Sequence, residues 1–137
     1  MDMNQKVAHA ALEEAGARFA YLFGSRATGE ERQGSDADVA VMPAGELSLL
    51  EQGRLADRLA GALGVPDVDL VLLDRVSLEL RGRVVQAGRL IFSADEPCRV
   101  AFEVRTRSEY FDYLPTLQAH TRRYLRQVAE RGLAGQT

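Results

Sequence analysis

Two short polar sequences, Gly24-Ser25 and Asp36-Ala37-Asp38, stand ten residues apart, and each abuts an apolar run. Phe19 to Phe23 precedes the first, and Val39 to Met42 follows the second. Both runs read as buried strands, so one strand ends on Gly-Ser, a polar turn follows, and the next strand opens with two carboxylates. Side chains alternate faces along a strand, which puts Asp36 and Asp38 on one side, roughly 6–7 Å apart along the backbone. That gap lets two carboxylates close on one or two divalent cations, whose oxygen ligands lie at about 2.0–2.1 Å in the case of magnesium.

The glycine end supplies the complementary chemistry. Gly24 carries no side chain, so a phosphate can approach the backbone. Ser25 adds a hydroxyl and a short turn whose free N–H groups favour an anion. Anion-binding amides on one side and metal-binding carboxylates on the other suit a nucleoside triphosphate. The matching reaction is phosphoryl or nucleotidyl transfer, with developing charge neutralised by metal. Either dipeptide alone is ordinary turn chemistry, because Asp bonds local backbone and Gly-Ser is a common loop. Their combination, at this spacing and each at a strand edge, carries the reading. No Gly-rich P-loop with its lysine is present, which disfavours kinase-type transfer.

Gly24-Ser25 followed by Asp36-x-Asp38 resembles the signature of the DNA polymerase β-like nucleotidyltransferase superfamily. The segment Gly24-Ser25-Arg26-Ala27-Thr28-Gly29 is similar to that of its smallest branch, the minimal nucleotidyltransferase (MNT) domain proteins. Thr28 stands where those proteins often carry arginine. The resemblance implies an α/β (α+β) fold with a short mixed sheet flanked by helices and a C-terminal helical segment. It implies a single domain over 1–137, with a core of about 4–93 and a helical extension of about 98–131.

Residues 67–73, Asp-Val-Asp-Leu-Val-Leu-Leu, read as a third strand. Three strands of one sheet can bring Asp69 beside Asp36 and Asp38. Such a cluster repels itself unless a cation compensates. Asp67, two residues away on the same face, is the alternative. In the resembled family a carboxylate on this strand completes the metal site and helps deprotonate the attacking hydroxyl. The resemblance therefore implies Asp36, Asp38 and Asp69 as catalytic and metal-binding residues. Gly24, Ser25 and Arg26 would hold the nucleotide, with ATP as donor and two magnesium ions.

Around this centre the chain supplies helices. Residues 4–15 place Val7, Ala11 and Leu12 on one face before Gly16, with His9 expected to be exposed. Leu47, Leu50, Leu55, Leu59 and Leu63 repeat at helical spacing until Gly64-Val65-Pro66. A helix from about Ser77 to Ala87 turns Leu78, Val84 and Val85 inward, with Asp74 as its expected cap, and Arg89 to Phe92 is a short strand. Arg81, Arg83 and Arg89 are expected as surface residues rather than triphosphate ligands. Glu30, Glu31, Arg32 and Gln33 form a solvated loop, and Cys98 sits in an Asp-Glu-Pro-Cys turn.

In the C-terminal third, Tyr110, Leu114, Leu117, Thr121, Tyr124 and Val128 alternate spacings of four and three, a heptad-like seam. Much of it is expected to pack on the sheet, with Pro115 starting or kinking a helix. His120 is expected to be packed or exposed rather than catalytic. Aromatic and basic residues concentrate here (Tyr110, Phe111, Tyr113, Tyr124, Arg122, Arg123, Arg126), as they do at protein interfaces. Tyr110 to Tyr113, Tyr-Phe-Asp-Tyr before a proline and a helix, is also similar to the tail of MNT proteins.

Charge and composition narrow the acceptor. With 17 basic and 20 acidic residues the net charge is −3, so no general polyanion surface is expected and a long nucleic-acid substrate is disfavoured. Cys98 is the only cysteine, which fits a reducing cytoplasm. No signal-like start and no apolar run near the ~20 residues needed to cross a bilayer is present, so no membrane association is expected. The resemblance implies a paired HEPN-domain toxin, with this chain as antitoxin transferring AMP to a toxin tyrosine. The C-terminal segment is then the candidate docking surface. Two alternatives stay open at this point: transfer to a small-molecule hydroxyl such as an aminoglycoside's, and neutralisation of a partner by binding alone.

Overall fold

The computed structural model describes residues 2–24 and 36–134. Within them, helix α1 (Met3–Glu14) leads into strand β1 (Ala17–Phe23), and β2 spans Ala37–Pro43. Helix α2 (Leu49–Leu63), strand β3 (Val68–Leu72), helix α3 (Leu78–Ala87) and strand β4 (Arg89–Ser93) follow, and α4 runs from Glu96 to Ala134. The sheet order is β3-β2-β1-β4. β1 is antiparallel to both β2 and β4, and β2 is parallel to β3, so the sheet is mixed, as expected.

Helices cover both faces of the sheet, and this explains why β1 and β2 are apolar almost throughout rather than alternating. On one face Leu12, Leu55 and Leu59 of α1 and α2 meet Ala20, Leu22, Val39 and Val41. On the other, Val84 and Val85 of α3 and Phe102 of α4 meet Phe19, Tyr21 and Ala40. Phe19 stacks at a tilt on Phe102, with ring centres 5.2 Å apart.

The helix starts are set by side chains that satisfy the free N–H groups of the first turn. Asp2 and Gln5 cap α1 reciprocally. Ser48 and Glu51 do the same for α2, and Gly64 ends that helix in the left-handed conformation at φ 69°. Because Ser48 is the cap, Leu47 lies before the helix and is buried, whereas Leu50 falls in its first turn and is open to solvent. Of the expected leucine face, Leu47, Leu55, Leu59 and Leu63 reach the core, Leu47 from outside the helix, and Leu50 does not. In α1 the inward residues are Ala8, Ala11 and Leu12, while Val7 is 38% exposed. Ser77 rather than Asp74 caps α3, its hydroxyl accepting from the Leu80 N–H at 3.2 Å. His9 is half-buried, edge-on to Phe92 at 5.4 Å, not exposed.

The largest departure from expectation is α4, a single helix of 39 residues. It starts where Asp95 accepts the Cys98 N–H at 3.1 Å, so Cys98 belongs to a helical first turn and not to a loop. Pro115 lies inside the helix and does not end it. Proline's φ is already helical, and the one carbonyl that loses its N–H partner, that of Phe111, lies on a stretch of the helix open to solvent. At 1.5 Å per residue α4 is about 58 Å long, far more than a five-residue strand can cover. It packs on the body from Cys98 and Phe102 as far as Tyr110, whose ring lies against Gly82 of α3 so closely that no side chain fits there. Leu114 and Leu117 are half-buried, and Thr121, Tyr124 and Val128 are exposed. Most of the heptad seam does not pack on the sheet. No helix among the described residues is long and apolar enough to cross a membrane.

Candidate active site at the carboxylate end of the sheet

Register, rather than side-chain reach, assembles the site. Phe23, the last residue of β1, pairs with Asp38 of β2. Asp38 pairs in turn with Asp69 of β3. Because directly paired residues share a face of the sheet, Asp38 and Asp69 emerge side by side. Their neighbours Ala37, Val39 and Val68 point into the core beneath α1 and α2, which holds both carboxylates on the opposite face. Asp36 immediately precedes β2 and is exposed; Asp38 is half-buried and Asp69 exposed.

Gly24 closes the other flank. Its φ of 77° lies in the left-handed region. A Cβ placed there would stand 2.5 Å from Oδ2 of Asp38, inside van der Waals contact. The missing side chain thus serves the carboxylate as well as any incoming group. Asp38 titrates above the usual carboxylate range, first because burial disfavours its charge, then because the Asp69 and Asp36 carboxylates repel it. This repulsion is the mark of a site that a cation would relieve.

The donors present are hard carboxylate oxygens, the ligand type that magnesium prefers. They fit such an ion in kind. Among the described residues, no three His, Cys, Asp or Glu groups yet stand around a common point, so the carboxylates are adjacent without being closed. Asp67 does not join them: its carboxylate accepts the Val68 N–H at 3.0 Å and its carbonyl the Ala37 N–H at 3.2 Å. These bonds tie the starts of β2 and β3 together and set the level at which Asp38 and Asp69 leave the sheet. Ser25, Arg26, Thr28 and the Glu30 to Gln33 loop lie outside the described residues.

The three arginines considered from sequence separate in space. Arg81 lies 3.9 Å from Glu109, and Arg83 lies 3.7 Å from Glu79. Arg89 opens β4 opposite Leu22, at the same end of the sheet as Gly24 but on the α1 and α2 face. It helps line a cavity of about 480 Å³ with Asn4, His9, Leu63 and Leu90. Sequence reasoning missed this cavity, because it is built by three elements distant in the chain and no local pattern marks it.

Comparisons with known proteins agree with this geometry. The family model described as Polymerase beta, Nucleotidyltransferase matches residues 5–97. Protein adenylyltransferase MntA of Shewanella oneidensis is 39% identical over 90 residues, a stretch covering 66% of this chain. The match takes in 63% of that curated relative, less than two thirds of its length. A crystal structure of a toxin–antitoxin with AMP-PNP contains a chain 32% identical, with a TM-score of 0.69 over 92% of this chain and 98% of that one. A structure of tri-AMPylated Shewanella oneidensis HEPN toxin in complex with MNT antitoxin gives 30% identity and a TM-score of 0.65, covering 92% and 96% of the two chains.

Proposed function

The chain belongs to the polymerase beta nucleotidyltransferase family, and from that premise we propose that it is a magnesium-dependent adenylyltransferase acting as an antitoxin. It moves AMP from ATP to a tyrosine hydroxyl of a partner HEPN toxin. The observation that carries the reading is the pairing of Asp38 with Asp69, flanked by Gly24 at the end of β1. Two similarities supply the direction of transfer: to a named protein adenylyltransferase and to an antitoxin solved with an AMPylated toxin. Similarity to a chain of a toxin–antitoxin solved with AMP-PNP supports ATP as the donor.

In this reading Asp36, Asp38 and Asp69 hold two magnesium ions, and Gly24, Ser25 and Arg26 receive the triphosphate. Bound magnesium supplies charge neutralisation at the phosphates and lowers the cost of bringing a nucleophile to them. The chain's own residues do the rest. Gly24 keeps the backbone open to the phosphate tail, and Asp38, held in the sheet, fixes where the donor lies. Asp69 takes the proton from the acceptor hydroxyl as its oxygen bonds to the α-phosphorus. The bond from that phosphorus to the bridging oxygen breaks, and pyrophosphate leaves with the electron pair. Residues 4–93 form the catalytic core of one nucleotidyltransferase unit spanning 1–137, and 98–131 its helical extension. Its acidic net charge suits a protein acceptor better than a long nucleic acid, and its place of action is the cytoplasm.

The test is the intact mass of the partner HEPN protein after incubation with this chain, ATP and magnesium. A gain of one or more AMP units, mapped to tyrosine, is the expected result. An unchanged mass, with the chain still bound to its partner, contradicts transfer and leaves neutralisation by contact.

A further inference from the structure

The free half of α4 is the least explained part of the molecule. From Phe111 to Arg131 every side chain is exposed or half-buried, so among the described residues no core covers this length of helix. Its apolar residues are nonetheless large: Phe111 is 76% exposed, Tyr124 64%, Leu125 59% and Val128 46%. They continue the four-and-three spacing of the seam, with Phe111 and Leu125 widening it on one side. Such a stripe is the surface one helix offers to another. Leu117, Gln118, Thr121 and Arg122 frame a shallow concavity on it.

We propose that this stripe is the docking surface for the partner protein, and that the partner lays an apolar helix with acidic flanks along it. The proposal rests on the adenylyltransferase–antitoxin reading above and adds the surface and the chemistry of its occupant. Charge selects the occupant. Between residues 113 and 131 the helix carries Arg122, Arg123, Arg126 and Arg131 against Glu130 alone, although the whole chain is acidic. A second copy of this chain laid alongside in register would oppose arginine to arginine, whereas an acidic partner is attracted. The similar chain from the toxin–antitoxin structure covers 92% of this one, a share unreachable without much of the free half. This projecting helix is therefore shared with a protein solved beside its toxin.

Docking and chemistry sit at different ends. Arg105 and Glu109, just before the helix leaves the body, line a cavity of about 300 Å³ with Met42, Leu73 and Asp74. Those residues stand at the ends of β2 and β3 remote from Asp38 and Asp69. The stripe accordingly sets the affinity for the partner and leaves the rate of transfer from a saturated complex alone.

The experiment measures binding of the partner HEPN protein by calorimetry, and AMP transfer to it, with Leu117→Asp and with Arg122→Glu/Arg126→Glu. Leu117 is half-buried and Arg122 and Arg126 are exposed, and none belongs to a core cluster among the described residues, so melting temperatures should match wild type. The expected result is a Kd and a KM for the partner raised tenfold or more in both variants, with kcat unchanged. An unchanged Kd in both overturns the proposal. So does a wild-type chain that is dimeric alone and made monomeric by Leu117→Asp while partner affinity stays the same, which assigns the stripe to a second copy. Binding that weakens as expected while no variant, wild type included, transfers AMP would leave the docking surface standing and remove the adenylyltransferase reading instead. A wild-type chain that does not bind the partner removes both.

Discussion

The two ends of this molecule hold their exposed chemistry by opposite means. At the carboxylate end, Asp38 and Asp69 are placed by sheet register, backed by a core in which Val39 and Val41 are fully buried. Along the free half of α4, Tyr124, Leu125 and Val128 are exposed and join no core among the described residues, so the helix's own hydrogen bonds carry them. Short isolated helices are marginal in water, and an amphipathic face is ordinarily stabilised by what it packs on. The contrast teaches that geometry at the first region is built into the fold, whereas order at the second depends on an occupant.

Changes at the carboxylate end should produce the largest effects and separate the two candidate carboxylates of β3. Asp69→Asn is expected to slow AMP incorporation by about a hundredfold or more, the scale on which removal of a transition-state contact is felt. Asp67→Asn, which keeps a side-chain acceptor for the Val68 N–H, should stay within severalfold of wild type. Equal losses in the two, read as initial rates at saturating ATP, would remove the distinction that register draws between them.

The joint between the regions comes next. A Cβ on Gly82 would stand 2.2 Å from the Tyr110 ring. Gly82→Ala should therefore destabilise the protein by about 1–3 kcal/mol in denaturant unfolding, the usual cost of overpacking. Wild-type stability in that variant would mean that Tyr110 does not anchor the helix.

Smaller still is the effect of pH on the metal-free protein. The Asp38 carboxyl titrates above its ordinary range because burial and then the neighbouring carboxylates oppose its charge. Between the ordinary value and the raised one, the folded state keeps a proton that the unfolded state releases. Stability therefore falls as pH rises through that window, and the full penalty persists above it. The fall should be slight, because Asp38 is only half-buried and solvent screens it. Melting curves across mildly acidic pH should show it, Asp38→Asn should abolish it, and added magnesium should oppose it. A rise in stability over the same window contradicts the account of the carboxylate cluster.

Least of all should follow from removing residues 111–137. Because 111–131 are exposed or at most half-buried, the melting temperature is expected to move by no more than a degree or two. A loss of several degrees, about 1 kcal/mol in a domain of this size, would show that the free half supports the body.

The sequence reading succeeded where local pattern and strand alternation decide the answer. The apolar runs around Gly24 and Asp36 became β1 and β2, and the two-residue phase of 67–73 put Asp69 on the face shared with Asp38. Contacts made only by pairing were invisible to it. Nothing local says that Gly24 must lack a side chain because Asp38 lies across the register. Nor does it show that Asp67 is occupied in binding two backbone N–H groups. The helix caps were misread for a similar reason: Asp74 and Ser77 are both good capping residues, and tertiary packing chose Ser77. Pro115 and the seam mark a third limit. A heptad pattern records that a face is apolar but not whose core it completes, and here it extends past the body of its own chain.

One measurement bears most directly on the claim that the paired carboxylates perform nucleotidyl transfer. ATP labelled at the α-phosphate, or separately at the γ-phosphate, is supplied with magnesium and the partner protein to wild type and to Asp38→Asn. The account expects the partner to take label from the α position only, and the variant to transfer none while still binding the partner. Label arriving from the γ position, or α-label undiminished in Asp38→Asn, would contradict it.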